Sequence, residues 1–282
     1  MKRALISFAA IAALGASLVT GGPSATGAQD APVSVYAVHG IPQSLFDVLG
    51  PPTTEVDVYA VPSGTGGLDT ATPFSFSFGE TRGPLEVPAG AYDVFVYPTG
   101  AIPAADGSDA TLDLTTPSLP AGATAVIVAQ LNEAGDGAQL TPFVLDTTPT
   151  AAGSARVQAF HTAAAPTVNV ELTDGTVLFP ALQNAVTSYA DATADPIEVP
   201  ADTYPLQVAT PDGGVVVPLG DFDLSAGQAY FVFAIGSVAG QTFEALPLVL
   251  DVGVTAPAPA PAPAPSPAPA PVPVEAAPQF TG

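Results

Sequence analysis

One stretch of this chain is written twice. Residues 84–96 read PLEVPAGAYDVFV and residues 196–208 read PIEVPADTYPLQV, an offset of 112. Pro84, Glu86, Val87, Pro88, Ala89, Tyr92 and Val96 recur as Pro196, Glu198, Val199, Pro200, Ala201, Tyr204 and Val208. A repeat of this length constrains the fold more than any other feature, because two copies of one pattern specify two copies of one structural unit. The correspondence extends collinearly in both directions. VSVYAVH, ending at His39, answers ARVQAFH, ending at His161, and Val56-Asp-Val58 answers Val168-Asn-Val170. Downstream, at an offset of 105, Leu119-Pro-Ala-Gly122 answers Leu224-Ser-Ala-Gly227, and Pro142 to Asp146 answers Pro247 to Asp251. The first copy carries about ten extra residues around Gln43 to Pro52. Each copy is thus roughly 110 residues, an ordinary domain size.

Within each copy the hydrophobic period is two. Val33, Val35 and Ala37 alternate with Ser34 and Tyr36, and Phe74, Phe76 and Phe78 alternate with Ser75 and Ser77. Tyr92, Val94 and Val96 share a face, as do Tyr204, Leu206 and Val208. That is the pattern of half-buried strands. Thr124 to Leu131 and Ala229 to Ile235 are more continuously apolar, as for central strands. Turn signals separate the runs: Gly64 to Gly67, Asp106 to Asp109, Gly135 to Gly137 and Asp212 to Gly214. No 3.6-residue period follows residue 30. The expectation is all-β: two tandem immunoglobulin-like antiparallel β-sandwich domains, 29–148 and 152–253, with six to eight strands each. Thr147 to Gly153 is a short joint of small residues, which predicts limited flexing. Pro88 and Pro200 mark strand ends, since proline cannot donate to a ladder. Tyr92 and Tyr204 open the next strand at the spacing of a tyrosine corner, in which the hydroxyl bonds back to nearby backbone.

The strand ending in His39, the Val56-Asp-Val-Tyr59 strand, Phe78-Gly-Glu-Thr81, Val87-Pro-Ala-Gly-Ala-Tyr92 and the later Leu119-Pro-Ala-Gly122 resemble the bacterial domain of unknown function 4397. The resemblance covers both copies, 33–146 and 155–251. The second departs from it, with Asp202 in place of the turn glycine and no evident Gly-Glu-Thr element. The resemblance implies exported, sandwich-like domains, often in tandem, in surface or secreted proteins. It implies no catalytic residues.

The ends carry targeting information. Residues 1–28 read as a signal peptide: Lys2 and Arg3, an apolar run from Ala4 to Val19, and small residues before Gln29. No later run is long and apolar enough to span a membrane. Residues 254–282 form a Pro/Ala-rich extended tail, whose alternating prolines favour polyproline II. At about 3.1 Å per residue, 256–274 reach roughly 60 Å, a spacer suited to a cell wall. The terminal Pro278-Gln-Phe-Thr-Gly282 has an extra residue relative to a Leu-Pro-x-Thr-Gly sorting signal, and lacks its leucine and the following apolar and basic tail.

Charge narrows the partners. The chain has 4 Lys+Arg against 26 Asp+Glu, a formal charge of −22, and after signal removal only Arg82 and Arg156 remain. Nucleic acid, whose affinity for proteins comes from cations on phosphates, is excluded as a partner. There is no Cys, hence no disulfide and no thiolate nucleophile. The two histidines, His39 and His161, fall at matching places and by parity point toward the core edge as structural residues. A pH-sensing or metal role is the sharper alternative, but one His per copy is a poor metal set. Asp106 with Asp109, Glu133 with Asp136, and Asp221 with Asp223 are weak Ca²⁺ candidates, since that ion takes oxygen ligands, though turn chemistry accounts for acids at such places. Each arginine is expected to hold an internal carboxylate. No Gly-x-Ser-x-Gly elbow occurs, and a carboxylate pair has no favoured spacing. The sequence therefore predicts no catalytic, cofactor or metal residues. It predicts a secreted or wall-associated structural or adhesive protein whose partner is a cell-wall or surface component, protein or glycan. A carbohydrate-binding module is the first alternative and an extracellular hydrolase the second.

Overall fold

A computed structural model of the protein describes residues 31–42, 55–68 and 71–255. The predicted signal peptide, the extra segment near 43–52, the Pro/Ala run from 256 and the C-terminal Pro-Gln-Phe-Thr-Gly lie outside the described residues. Sixteen strands are described and no α-helix. The first eight are β1 (Val33–His39), β2 (Glu55–Pro62), β3 (Phe74–Ser77), β4 (Thr81–Val87), β5 (Tyr92–Pro98), β6 (Leu112–Thr115), β7 (Thr124–Leu131) and β8 (Ala138–Leu145). The second eight are β9 (Ser154–His161), β10 (Val168–Leu172), β11 (Val177–Leu182), β12 (Ile197–Pro200), β13 (Thr203–Ala209), β14 (Val215–Asp223), β15 (Gln228–Ile235) and β16 (Glu244–Asp251).

The two halves have one topology. In the first, sheet β4-β1-β7-β8 faces sheet β3-β2-β5-β6. In the second, β12-β9-β15-β16 faces β11-β10-β13-β14, the same order eight strands later. Among the described strands all pairings are antiparallel except two: β1 runs parallel to β7, and β9 parallel to β15. These parallel pairs depart from a purely antiparallel sandwich. They follow from closing each unit with its first strand beside its seventh.

Alternation decides what each strand face touches. On β1, Val33 and Ala37 enter the core between the first two sheets, with Val58, Val94, Val96 and Ile127. The second interior is built likewise from Val157, Ala159, Val168, Phe179, Val208 and Tyr230. The opposite faces of the two inner sheets form a further core. Val38, Val126, Val128 and Phe143 from the first half meet Phe160, Phe231, Phe233 and Ile235 from the second. The molecule is therefore four sheets deep, and its inner sheets are covered on both faces. This explains the near-continuous apolar runs of β7, broken only by the buried Gln130 after Thr124, and of β15, since a strand buried on both sides has no polar face to show. Phe78 leaves the alternation of Phe74 and Phe76: past β3 it packs on the shared core, while the other two line the first sandwich.

The joint is pinned rather than free. Arg156 on β9 is buried and donates to the carbonyls of Asp146 at 3.2 Å and Thr148 at 2.5 Å. Its guanidinium also pairs with Asp146 at 3.3 Å and Glu198 at 3.0 Å. Across the interface, the β11–β12 connection reaches back to the first half. Asn184 donates to the Leu131 carbonyl at 2.9 Å and Tyr189 to the Pro142 carbonyl at 2.9 Å. The corresponding β3–β4 connection of the first half is only Phe78 to Glu80.

Candidate functional site

The residues that the repeat singles out are placed in pairs. Tyr92 donates its hydroxyl to the Pro88 carbonyl at 2.7 Å, and Tyr204 to the Pro200 carbonyl at 3.0 Å. Each bond spans the turn between an edge strand of one sheet and a central strand of the other, so it ties the layers of its own sandwich. Burial raises the Tyr92 phenol above its ordinary range.

His39 ends β1 and His161 ends β9, and both are almost wholly buried. The His39 ring stands edge-on to Phe76 and Phe78, with centroids 5.8 and 6.5 Å away. Its Nδ1 accepts a long bond from the Ile41 amide at 3.4 Å. Burial lowers its pKa to about 4, against a smaller upward pull from Glu80. His161 donates from Nε2 to the Pro166 carbonyl at 2.9 Å, which fixes its tautomer. Burial lowers its pKa too, and that hydrogen bond opposes the shift. Both rings are therefore neutral at pH 7 and face packed side chains.

The acidic candidates are spread out. Asp109 accepts from the Tyr97 hydroxyl at 2.8 Å and from the Ala104 amide at 3.0 Å, and these donors hold its carboxyl below the usual range. Asp106 accepts from the Ser108 hydroxyl at 2.7 Å. Asp223 accepts from Thr203 at 2.6 Å across the β13–β14 ladder, and Asp221 stands opposite Pro205 in the same ladder. Asp136 accepts from Asn132 within its turn at 2.7 Å, while Glu133 receives the Thr187 hydroxyl from the second half at 3.2 Å. Among the described residues, no three His, Asp or Glu side chains converge as a metal set. The bonds recorded for these acids instead hold turns, a ladder and the interface.

The arginines differ. Arg156 is the buried anchor of the joint, a role that sequence reasoning did not assign. Arg82 lies half-exposed on β4 and pairs with Glu80 at 3.2 Å. Its Nε donates to the Ser75 carbonyl on β3 at 3.4 Å. It thereby spans the two strands that form the open side of the first sandwich.

No curated protein matches the chain. Among solved structures, the Bacillus anthracis TIE protein is similar at 8% identity and a TM-score of 0.20, over 72% of this chain. This chain spans only 33% of that protein's length. The fimbrial anchor protein Mfa2 from Porphyromonas gingivalis is similar at 13% identity and a TM-score of 0.21, over 78% of this chain and 98% of that one. A candidate cell adhesion protein from Bacteroides ovatus is similar at 10% identity and a TM-score of 0.23, over 81% and 99%. In sequence, residues 34–171 match the profile described as "Domain of unknown function (DUF4397)". The match starts in β1, runs through the whole first sandwich and ends in β10. Over these residues, just under half of the chain, the sequence matches the DUF4397 family.

Proposed function

We propose that this is an exported, surface-associated structural or adhesive protein that works through its exterior as one stiff block. The observation that carries the reading is the core shared by the two inner sheets, where Phe143 packs against Phe160 at 4.9 Å between ring centroids. Two sandwiches fused in this way cannot close around a substrate as hinged domains do. Their buried polar groups hold the block itself together: Arg156 grips the joint, Asn184 grips Leu131, and both histidines are neutral packing residues. The proposal accordingly gives neither histidine a proton-transfer role. The predicted signal peptide, the scarcity of cations and the Pro/Ala-rich C-terminal run fit an exported protein held at the cell surface.

A carbohydrate-binding platform needs open aromatic faces. Tyr189 is the one exposed aromatic among the described residues. It is stacked on Phe143 at 5.3 Å, with its hydroxyl tied to Pro142. The structural or adhesive reading is therefore preferred.

The test is co-sedimentation with isolated cell walls, comparing residues 29–282 with residues 29–253. Equal binding by both makes the sandwiches the adhesive units and the tail a spacer. Binding by 29–282 alone moves attachment to the tail and leaves the block a structural role. No binding by either overturns wall attachment.

A further inference from the structure

The two halves share a strand order, yet their interiors are filled differently. The second sandwich encloses a void of about 40 Å³. The first holds an apolar cavity of about 230 Å³. Val58 and Ala60 of β2, Ile127 and Ala129 of β7, and the rings of Phe74 and Phe76 form much of its wall. Those two rings are stacked with centroids 5.8 Å apart. Among the described residues, Arg82 is the only charged side chain on the wall.

The cavity follows from register. Val35 pairs with Leu85 and Ala37 pairs with Arg82, so β4 places Gly83 and Pro84 opposite Tyr36 alone. A bulge of this kind bends its strand and disrupts the ladder, here at the edge of the sheet beside the cavity. Gly83 is required there: its φ is +130°, and a Cβ would lie 2.8 Å from both the Tyr36 ring and the Val35 carbonyl oxygen. In the second half, the matching edge strand β12 pairs residue for residue with β9, from Ile197 opposite Val157 to Pro200 opposite Ser154. Beyond it, Thr193 bridges to Phe160. Of these two matching edges, only that of the first sandwich is therefore bulged, crossed by the Arg82 side chain, over an unfilled apolar space.

We infer that this cavity is a binding site for a compact apolar molecule, a single aromatic ring or a short alkyl chain of about six to ten non-hydrogen atoms. A bound water needs two to four polar partners, and the wall is almost wholly aliphatic and aromatic. Apolar cavities of about 150 Å³ stay dry and take up benzene-sized guests. The space in the first sandwich exceeds that size, and the void in the second falls well short of it. The site goes beyond the surface role proposed above and does not depend on it.

The experiment uses residues 29–282 with fluorobenzene as the probe, read by ¹⁹F NMR line broadening and by thermal shift. Binding is expected to saturate with a Kd on the order of 1 mM, as a ligand of this size allows. Ala129→Leu projects a larger side chain into the cavity and should weaken binding at least tenfold. Ala60→Leu fills the same space from the other sheet and reads the same effect if Ala129→Leu fails to fold. Ala234→Leu, at the matching position of the second half, should leave the probe's affinity unchanged. Loss of binding in the two fillers but not in Ala234→Leu supports the assignment. No saturable broadening in the full chain overturns it, as does binding that survives both fillers.

Discussion

His39 and His161 show how a single residue couples this fold to pH. Each ends the first strand of its half, and burial lowers the pKa of both, to about 4 for His39. An unfolded histidine titrates near 6.5. Between those values the unfolded chain binds a proton that the native chain refuses. The stabilisation from a neutral buried ring is therefore complete above pH 6.5 and is lost as pH falls toward 4. From pH 6.5 to 5 the His39 contribution amounts to about 2 kcal/mol, in a window where ordinary carboxylates are still mostly ionised. Urea unfolding at pH 7 and pH 5 should show that loss, and His39→Gln should reduce it; an equal pH dependence in the variant would count against burial as the cause. Arg156 is the second telling residue. Its counterpart in the first half is Ser34, which donates to Glu86 at 2.7 Å, whereas Arg156 meets the equivalent Glu198 and grips the joint as well. Its side chain is 7% exposed, but those of Asp146 and Glu198 are 40% and 35% exposed. Water can thus reach the carboxylates once the arginine is gone. Arg156→Ala should cost about 1–3 kcal/mol, below the cost of orphaning a fully buried charge, and a lowered urea midpoint would register it.

Edge strands would expose this all-β molecule to pairing with further copies, and proline guards most of them. Pro84 lies in β4, Pro142 in β8, Pro180 in β11, Pro200 in β12, Pro218 in β14 and Pro247 in β16, and all six strands are sheet edges. Of the eight central strands, β1, β7, β9, β10 and β15 contain none, β2 and β5 carry one only at their last residue, Pro62 and Pro98, and β13 alone has one inside, Pro205. A proline offers no N–H to an incoming strand, which is how natural sheets discourage edge-to-edge association. Pro142 and Pro247 occupy matching places in the two copies, beside the exposed Val144 and Val249. Pro142→Thr with Pro247→Thr should leave the monomer's stability within about 1 kcal/mol yet produce higher oligomers in light scattering; a variant that stays monomeric at high concentration would remove proline as the guard. This scale also shows what the sequence makes legible. The period-2 pattern of β5 and the continuous apolar runs of β7 and β15 announce strands of two kinds, and the 112-residue offset announces two units. The parallel β1–β7 pair is not legible, because no local signal says which distant strand will lie alongside. The β11–β12 strap is built of small and polar residues and reads as a plain loop. The cavity depends on the bulge at Gly83 and Pro84, and a register shift has no signature in a single sequence beyond the glycine and proline that permit it. The acidic turns read as Ca²⁺ candidates because a turn aspartate and an ion-ligating aspartate look alike until their hydrogen-bond donors are seen.

At the scale of the whole molecule, the two halves share a core instead of standing as separate beads. A sheet in a lone sandwich has one face for its partner and one for water. Here the outward faces of the inner sheets carry Val126 and Val128 on one side and Phe160, Phe231 and Phe233 on the other. These side chains would be open to solvent in either half alone, and an apolar face of that kind drives association. The joint and the strap add polar ties across the same boundary, so opening the interface would expose phenylalanines and break the Asn184 and Tyr189 bonds together. Phe233 tests this coupling. It is wholly buried and stacks on Phe160 with centroids 4.7 Å apart, yet it contributes to neither sandwich's own interior. Phe233→Ala should cost about 3–5 kcal/mol, as for a fully buried aromatic. If the halves unfold as a unit, calorimetry of residues 29–282 will show a single transition before and after the substitution, with calorimetric and van't Hoff enthalpies in agreement, displaced to lower temperature in the variant. Two resolved transitions, with only the second half's displaced, would mean that each sandwich stands by itself and that the shared core is a contact rather than a common interior.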